Sequence, residues 1–340
     1  MLLLLICTPP KRKRSTRHPM LMDFGVGWIR HWRSWVKEKV MRPAWSIIVF
    51  TSLSGIGLGM LCWFGLGFVT MTQPIDLLIF SGLALAAVIG GLCSSLFHLG
   101  HPERAFRALS QWRSSWLSRE GVFAVVTIGV ACLYVIFWLT EGQRSAALGM
   151  LLAAFSMITV WATAMIYGSL KTIARWYHPL TPWVYVSLSI CGGLVAVVAW
   201  EQVMSGSPAF VELTTGILVL ALIVKVIWWR RAGQSGSGST PESATGLGAM
   251  GQVDLLMSPH TEENWLQHEM GFVVARKHVQ RLSQIAVVLA FVLPLLALWS
   301  GVSWAILLIP LVHFVGIMIE RWLFFAEAKH VVTLFYGDRH

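Results

Sequence analysis

The residues most able to do chemistry lie in the stretch FHLGHPERAFRALSQWRSSWLSREGVF, between Phe97 and Phe123. His98 ends one long apolar run and Glu120 begins the next, so we expect both side chains to face one pocket at the membrane interface. A carboxyl group beside an imidazole in such a place can exchange protons with a membrane-soluble ligand. The alternative is structural, with Glu120 stabilising a helix N-terminus and His98 reaching towards the interface. The residues alone leave both interpretations open.

A second group of ionisable residues lies in the last long apolar run. His313, Glu320 and Glu327 are spaced by seven, which places them on one stripe of a helix, and Arg321 adjoins the stripe. They could form a proton path or a second wall of the same pocket. The structural alternative is an ion pair that fixes the helix bundle, and we favour it for Glu320 and Arg321. A lone histidine in mid-helix is more often a hydrogen-bonded core residue, so His313 stays open.

The composition indicates which class of protein must position these residues. The chain has 340 residues, of which 56% are apolar and 12% are charged, with a mean hydropathy of +0.67. Soluble domains carry about 25% charged residues. These values exclude a soluble globular enzyme, a disordered chain and a disulfide scaffold. They predict an all-α bundle of membrane-spanning helices.

Eight apolar runs are long enough to cross the hydrocarbon of a bilayer. We place them at 45–70, 76–98, 121–140, 146–167, 183–204, 211–229, 282–300 and 303–325. The chain then divides into a basic N-terminal segment with an interfacial amphipathic helix (1–44), helices one to six (45–229), a linker and partner-facing segment (230–281), helices seven and eight (282–325) and a tail (326–340). Within the long connection, the composition of Gly233–Thr245 predicts a flexible linker.

The distribution of basic residues predicts the orientation. With eight spans, the termini and the loops on their side carry 23 of the 26 Lys and Arg residues, whereas the opposite loops carry Arg144 alone. Positively charged loops stay in the cytoplasm. Both termini are therefore expected there, in a bacterial inner membrane. The net charge of +10 then needs no nucleic-acid partner.

The chain is not expected to carry a redox centre of its own. It has five cysteines without a CxxC motif, which disfavours an iron–sulfur cluster. Only His98 and His313 lie near or within spans, on opposite halves of the bundle, so a haem held by two histidines is not expected. We expect no bound metal and no haem.

The motif between the second and third helices also carries a family resemblance. H-L-G-x-P-x-R-A-x-R-A, starting at His98, and the following S-W-L-S-R-E resemble the signature of the membrane-anchor subunits of dimethyl sulfoxide reductase-type complexes. The resemblance implies two partners, a molybdopterin catalytic subunit and an iron–sulfur subunit, and a quinone site in the anchor. It ties His98 and Glu120 to quinol binding and oxidation. Arg104 and Arg119 belong to the same motifs, and Tyr167 and Arg321 match more weakly.

The resemblance implies a non-catalytic subunit that exchanges electrons between ubiquinone or menaquinone and an iron–sulfur partner. Because the basic face is expected in the cytoplasm, we favour sulfite oxidation with quinone reduction, as in sulfite dehydrogenases with a similar anchor. The alternative is the anchor of a dimethyl sulfoxide reductase that oxidises menaquinol. A secondary transporter is an alternative of another class, but its candidate charges, Lys225 and Glu320, have no counterpart in the other half of the chain. A purely structural anchor is the remaining alternative.

Overall fold

The structure, a computed structural model, describes residues 45–96, 102–233, 238–253 and 273–331. Their regular structure is entirely helical, and eight of these helices are long and apolar enough to cross a membrane. Over these ranges the predicted all-α fold with eight spans is confirmed. The spans are α1 (Trp45–Leu66), α2 (Pro74–Leu96), α3 (Trp116–Glu141), α4 (Ala146–Gly168), α5 (Thr181–Ser205), α6 (Val211–Ala232), α7 (Val273–Val287, a π-helical turn Val288–Val292 and Leu293–Trp299) and α8 (Ser303–Ala326).

Helix α1 is the central element, since it packs against α2, α4, α5 and α8. Glycines allow these close approaches. A Cβ atom at Gly59 would lie 1.9 Å from the carbonyl oxygen of Ser189 on α5, and one at Gly65 would lie 2.3 Å from that of Gly149 on α4. Small residues at helix contacts are how membrane helices gain packing energy, because lipid tails offer no hydrophobic driving force between helices.

Helix α3 lies at the edge of the bundle and packs mainly against α4. Thr127 on α3 and Thr159 on α4 join the two helices through hydroxyl groups 3.0 Å apart. Much of the remaining surface of α3 is apolar and exposed, including Val125, Leu133 and Ile136. The outer face of α3 is therefore not covered by other helices of the described structure.

Several predicted boundaries were displaced by local backbone geometry. Helix α1 ends at Leu66 rather than at residue 70, because Gly67 adopts a left-handed φ of 82° that ends the helix. Helix α7 begins at Val273 rather than at residue 282, so its polar first turns precede the apolar span. The predicted flexible linker contains a short helix, Pro241–Thr245, which a capping box at Thr240 stabilises.

The boundary that matters most is the start of α3. This helix begins at Trp116, five residues before the predicted residue 121. Ser115 has extended backbone angles and precedes the helix, and the amide of Arg119 already donates to the Ser115 carbonyl. Glu120 therefore lies inside α3, beyond the first turn whose backbone amide groups have no partner within the helix. The alternative role of Glu120 as an N-terminal cap is wrong for this geometry.

Candidate functional site

Glu120 is a buried carboxyl group between two membrane helices. Its residue is 4% exposed, and its Oε1 lies 2.5 Å from the hydroxyl oxygen of Thr163 on α4. Among the described residues, Glu120 has no cation within ion-pair distance. A buried carboxyl group without a counter-ion is rare in a membrane span and usually functional.

The hydroxyl group of Thr163 can satisfy this carboxyl group in both of its protonation states. Thr163 Oγ1 lies 2.5 Å from Glu120 Oε1 and 3.0 Å from the carbonyl oxygen of Thr159. A hydroxyl group has one proton to donate. It donates to Glu120 when the carboxyl group is ionised. When Glu120 is protonated, the carboxyl group donates to Thr163, and Thr163 donates to the Thr159 carbonyl. The geometry therefore permits Glu120 to gain and lose a proton without leaving a buried partner unsatisfied.

The segment before α3 packs directly beside Glu120. The 3₁₀ helix Pro102–Gln111 contacts α3, and a Cβ atom at Gly121 would lie 2.7 Å from Leu109 Cδ2. Glycine at position 121 therefore lets this segment approach the helix. Phe106 and Trp112 leave large apolar surfaces exposed there.

Arg119 fastens the same segment to α3. Its guanidinium group donates to the carbonyl oxygens of Trp112, at 3.0 Å, and Arg113, at 2.7 Å. The group also lies over the Trp116 ring at 4.3 Å. The contacts of Arg119 thus hold the loop next to Glu120. Arg104 lies within the 3₁₀ helix, and its side chain is outside the described part, as is all of His98.

A second buried carboxylate, Glu320 on α8, lies between two cations. It forms ion pairs with Lys225 of α6 and with Arg321 at 3.3 Å, and Lys225 and Glu320 are 0% and 1% exposed. Lys225 Nζ is also 4.0 Å from the Trp228 ring centroid, and the Arg321 guanidinium is 3.5 Å from that of Tyr185. The predicted Glu320–Arg321 contact is present. The partner that sequence reasoning missed is Lys225.

Aromatic rings enclose this ion-pair cluster. Tyr167 packs edge-on against Phe324 at 5.7 Å and Phe325 at 5.2 Å, and its ring is 6.0 Å from that of Tyr185. Tyr167 lies one helical turn after Thr163, the partner of Glu120, and its neighbour Tyr185 stacks on Arg321. The predicted residues Glu120, Tyr167 and Arg321 are therefore gathered at one end of the bundle.

The spacing of seven on α8 does not make one continuous site. Glu327, just beyond α8, pairs with Arg175 at 2.5 Å. Burial raises the pKa of Glu327, although Arg175 and Lys225 nearby lower it. His313 contacts neither glutamate in the described structure. The three residues of the stripe thus have three different sets of neighbours.

His313 repairs a backbone defect in the neighbouring helix. Pro294 has no amide proton, so the Ala290 carbonyl, four residues earlier and inside the π-helical turn, loses its usual donor. His313 Nδ1 lies 2.7 Å from that oxygen. Because a carbonyl can only accept, Nδ1 must carry the proton. His313 is a buried, hydrogen-bonded core residue here, and the absence of haem stays a prediction.

Comparison with known proteins now identifies the family. The chain matches the family described as DMSO reductase anchor subunit (DmsC) over residues 41–337. The chain belongs to this family. It is a membrane anchor of a molybdoenzyme complex, in which the molybdopterin catalytic subunit and the iron–sulfur subunit are separate polypeptides.

Individual relatives differ in how much of the chain they match. The C subunit of sulfite dehydrogenase from Allochromatium vinosum is 30% identical over 325 residues, covering 87% of this chain and 99% of the relative. The YnfH polypeptide of an Escherichia coli anaerobic dimethyl sulfoxide reductase is 30% identical over 146 residues, covering 40% of this chain and 50% of the relative. The C polypeptide of the E. coli anaerobic dimethyl sulfoxide reductase is 30% identical over 139 residues, covering 39% and 48%. The similarity to the first relative extends over nearly the whole fold.

Proposed function

We propose that this anchor binds a quinone beside Glu120 and exchanges electrons between the quinone pool and the iron–sulfur partner. The observation that carries the proposal is a buried carboxyl group with no counter-ion among the described residues and a hydroxyl partner that fits both protonation states. Quinone chemistry needs such a group, because each quinone oxygen takes up a proton when the molecule is reduced by two electrons. The exposed apolar face of α3 offers entry from the lipid.

Each candidate residue then has a separate part in the proposal. Glu120 donates a proton to a quinone oxygen or accepts one from a quinol hydroxyl. His98, in the motif that precedes α3, serves the second oxygen. Arg104 and Arg119 position the segment that covers the headgroup, since Arg119 already donates to two carbonyls of that segment. Electrons come from or pass to cofactors held by the partner subunits.

We further propose that the complex oxidises sulfite and reduces quinone. Support comes from the relative named as a sulfite dehydrogenase subunit, which matches over 99% of its length, whereas the E. coli dimethyl sulfoxide reductase polypeptides match over about half of theirs. Menaquinol oxidation by a dimethyl sulfoxide reductase is the alternative within the family. The two are distinguished by measuring turnover in membranes that contain the assembled complex. Sulfite oxidation predicts turnover with sulfite and a quinone analogue, whereas the alternative predicts turnover with dimethyl sulfoxide and a quinol analogue.

The sulfite proposal depends on orientation in a bacterial inner membrane. Lys and Arg residues concentrate on the side of both termini, so we propose that this side is cytoplasmic and binds the partners. A C-terminal alkaline phosphatase fusion should be inactive, and a fluorescent protein fusion should be bright. The opposite pair of results would place the partners in the periplasm and remove the preference for sulfite.

The quinone site is tested by Glu120→Gln, with Glu201→Gln as the matched control. Glu201 is an equally buried glutamate near the other end of the bundle, where it accepts a hydrogen bond from the Thr70 amide at 2.7 Å. Glu120→Gln should abolish quinone-coupled turnover while activity with an artificial dye survives. Affinity for a quinone-site inhibitor should fall by roughly ten- to a hundredfold, since a hydrogen bond to a charged group contributes about 1.5–3 kcal/mol.

In the control Glu201→Gln, the quinone-coupled rate per amount of assembled complex should stay at the wild-type value. If Glu120→Gln lowers the quinone-coupled and dye-coupled rates together, in proportion to assembled complex, Glu120 is structural and the site assignment is wrong. The same result would favour an anchor without a quinone site.

A further inference from the structure

A small cavity lies beside Thr163, between α1, α4, α5 and α8. The polar residues of its lining include Ser52, Thr163, Tyr185 and Arg321. It has room for about one water molecule, which is far too little for a quinone ring. The cavity is therefore not the headgroup site itself.

Two residues of the cavity lining carry a hydroxyl group that has no partner in the described structure. Ser52 Oγ and Tyr185 Oη are buried, and neither atom forms a hydrogen bond within the described ranges. Arg321 Nε is also buried there without a hydrogen-bond partner. The residues that carry them are all more than nine-tenths buried. Other hydroxyls around the cavity are satisfied by backbone carbonyls: Ser54 donates to Phe50 and Ser189 to Gly55.

An ordered water molecule needs a cavity of about this size and polar groups around it that lack other partners. Such a water makes about three hydrogen bonds, and leaving the groups without partners would cost free energy. Ser52, Tyr185 and Arg321 supply the required number of polar neighbours, and Thr163 adjoins them.

The position of the cavity connects the two buried carboxyl groups. On one side, Thr163 reaches Glu120 at 2.5 Å. On the other side, Arg321 contacts Glu320 at 3.3 Å and lies 3.5 Å from the centre of the Tyr185 ring. Beyond Glu320, the charged groups continue through Lys225.

The outer end of this series is the pair formed by Glu327 and Arg175. Their side chains are 12% and 17% exposed, and Arg175 and Lys225 both lie against the Trp228 ring, at 5.3 Å and 4.0 Å from its centre. Arginine does not release its proton in proteins, so Arg175 and Arg321 can only position the carriers.

We propose that this cavity holds a water molecule that relays protons between Glu120 and the Glu320–Lys225 pair, and so to the membrane face at Glu327. In quinone reduction, two electrons come from an iron–sulfur cluster of the partner, and each of the two quinone oxygens takes up one proton. Glu120 gives its proton to one oxygen, and His98 serves the other, as proposed above. The Thr163 hydroxyl then reprotonates Glu120 and takes a proton from the water. The water is replenished through Glu320, which passes on a proton of the Lys225 ammonium group and so stays ionised, and Lys225 regains its proton from the membrane face. In quinol oxidation the same protons move in the opposite direction.

The relay rests on the proposed quinone function, and it is tested in the assembled complex with Tyr185→Phe and Ser52→Ala. Each change removes one cavity hydroxyl group. The matched control is Tyr134→Phe, a fully buried tyrosine on α3 whose hydroxyl lies 3.5 Å from the Phe64 carbonyl at the other end of the bundle. Quinone-coupled rate, dye-coupled rate, quinone-site inhibitor affinity and the solvent deuterium isotope effect are measured on the same membranes.

We expect Tyr185→Phe to slow quinone-coupled turnover by about tenfold or more, because a positioned proton-transfer group contributes about 10²–10⁴-fold. The solvent isotope effect should rise above the wild-type value, since proton delivery becomes limiting. Inhibitor affinity and dye-coupled rate should not change. Ser52→Ala should move the same quantities in the same direction, and Tyr134→Phe should move none. If Tyr185→Phe prevents assembly, Ser52→Ala carries the test.

Two outcomes would overturn the relay. In the first, Ser52→Ala and every other cavity variant that assembles keep the wild-type quinone-coupled rate and the wild-type isotope effect. The other is a slower rate together with weaker inhibitor binding and an unchanged isotope effect, which would make the cavity part of the headgroup site. If Glu120→Gln is inactive with quinone while the cavity variants are normal, only the relay is wrong. If Glu120→Gln stays fully active, the proposed function itself is wrong.

Discussion

The two buried glutamates at this end of the bundle have the same side chain and similar burial but different neighbours. Glu320 is 1% exposed and has Lys225 and Arg321 beside it. Glu120 is 4% exposed and has one neutral hydroxyl partner, Thr163. A carboxylate between two cations cannot easily lose its charge, because the cations would then be buried without compensation. A carboxyl group with only a hydroxyl partner can change its protonation state, as the Thr163 geometry permits.

Neighbours, and not burial, therefore decide how each carboxyl group behaves. Glu320 belongs to a charged cluster that stabilises the fold and can pass protons only together with Lys225, whereas Glu120 can change its protonation state alone. Tyr185 and Arg321 lie between the two glutamates. The ion-pair cluster can therefore be tested for stability and the Glu120 region for turnover. Substitutions in the two regions should differ in the size and the kind of their effects.

The largest effect is expected at the ion-pair cluster. Glu320→Ala leaves two buried cations without their carboxylate, which typically costs about 3–5 kcal/mol. The amount of assembled complex in the membrane should fall sharply. The double change Lys225→Met with Glu320→Gln keeps the net charge of the three-residue cluster, and assembly should largely return. Quantifying complex in solubilised membranes measures both, and normal accumulation of Glu320→Ala would remove the distinction between the two glutamates.

An intermediate effect is expected at Thr163. Thr163→Val keeps the side-chain shape and removes the hydroxyl group, so Glu120 loses its hydrogen-bond partner. The same hydroxyl group carries protons from the cavity water to Glu120 in the proposed relay, so quinone-coupled turnover should slow by about tenfold or more, while the complex still assembles. The matched control is Thr127→Val, which removes a hydroxyl contact of 3.0 Å between the same two helices without touching Glu120. Equal effects of the two substitutions on quinone coupling would mean that helix packing alone is responsible.

The smallest effect is expected at Arg119. Arg119→Lys keeps the charge but cannot reproduce the two-carbonyl contact to Trp112 and Arg113 or the stacking on Trp116. Because these contacts are exposed, the change should cost about 0.5 kcal/mol, which corresponds to roughly a twofold rise in the KM for quinone. The kcat should stay near wild type. Arg113→Lys is the control, and a fall in kcat for Arg119→Lys alone would assign Arg119 a direct part in proton exchange.

Much of the fold could be predicted from the sequence because a membrane span needs about 20 consecutive apolar residues, and such runs are visible without structure. The predicted runs 146–167 and 303–325 begin where α4 and α8 begin and end one residue before these helices end. Ends set by a single backbone angle were missed, as at Gly67, because apolar residues continue past the turn. The start of α3 was missed because Trp116–Glu120 is too polar to be counted as a span, although its backbone is helical.

The class of protein, the number of spans and the motif that contains His98 and Glu120 can all be inferred from the amino-acid sequence, since hydropathy and residue order are local properties. Which charges meet depends instead on how the helices pack. Lys225 and Glu320 are separated by 95 positions, yet they pair because α6 and α8 bring them together at one end of the bundle. Thr163 and Tyr185 carry no motif, and their roles arise because α4 and α5 place them between Glu120 and Arg321. In a membrane, a buried polar group must find its partner inside the protein, and that partner is chosen by packing across helices and not by position along the sequence.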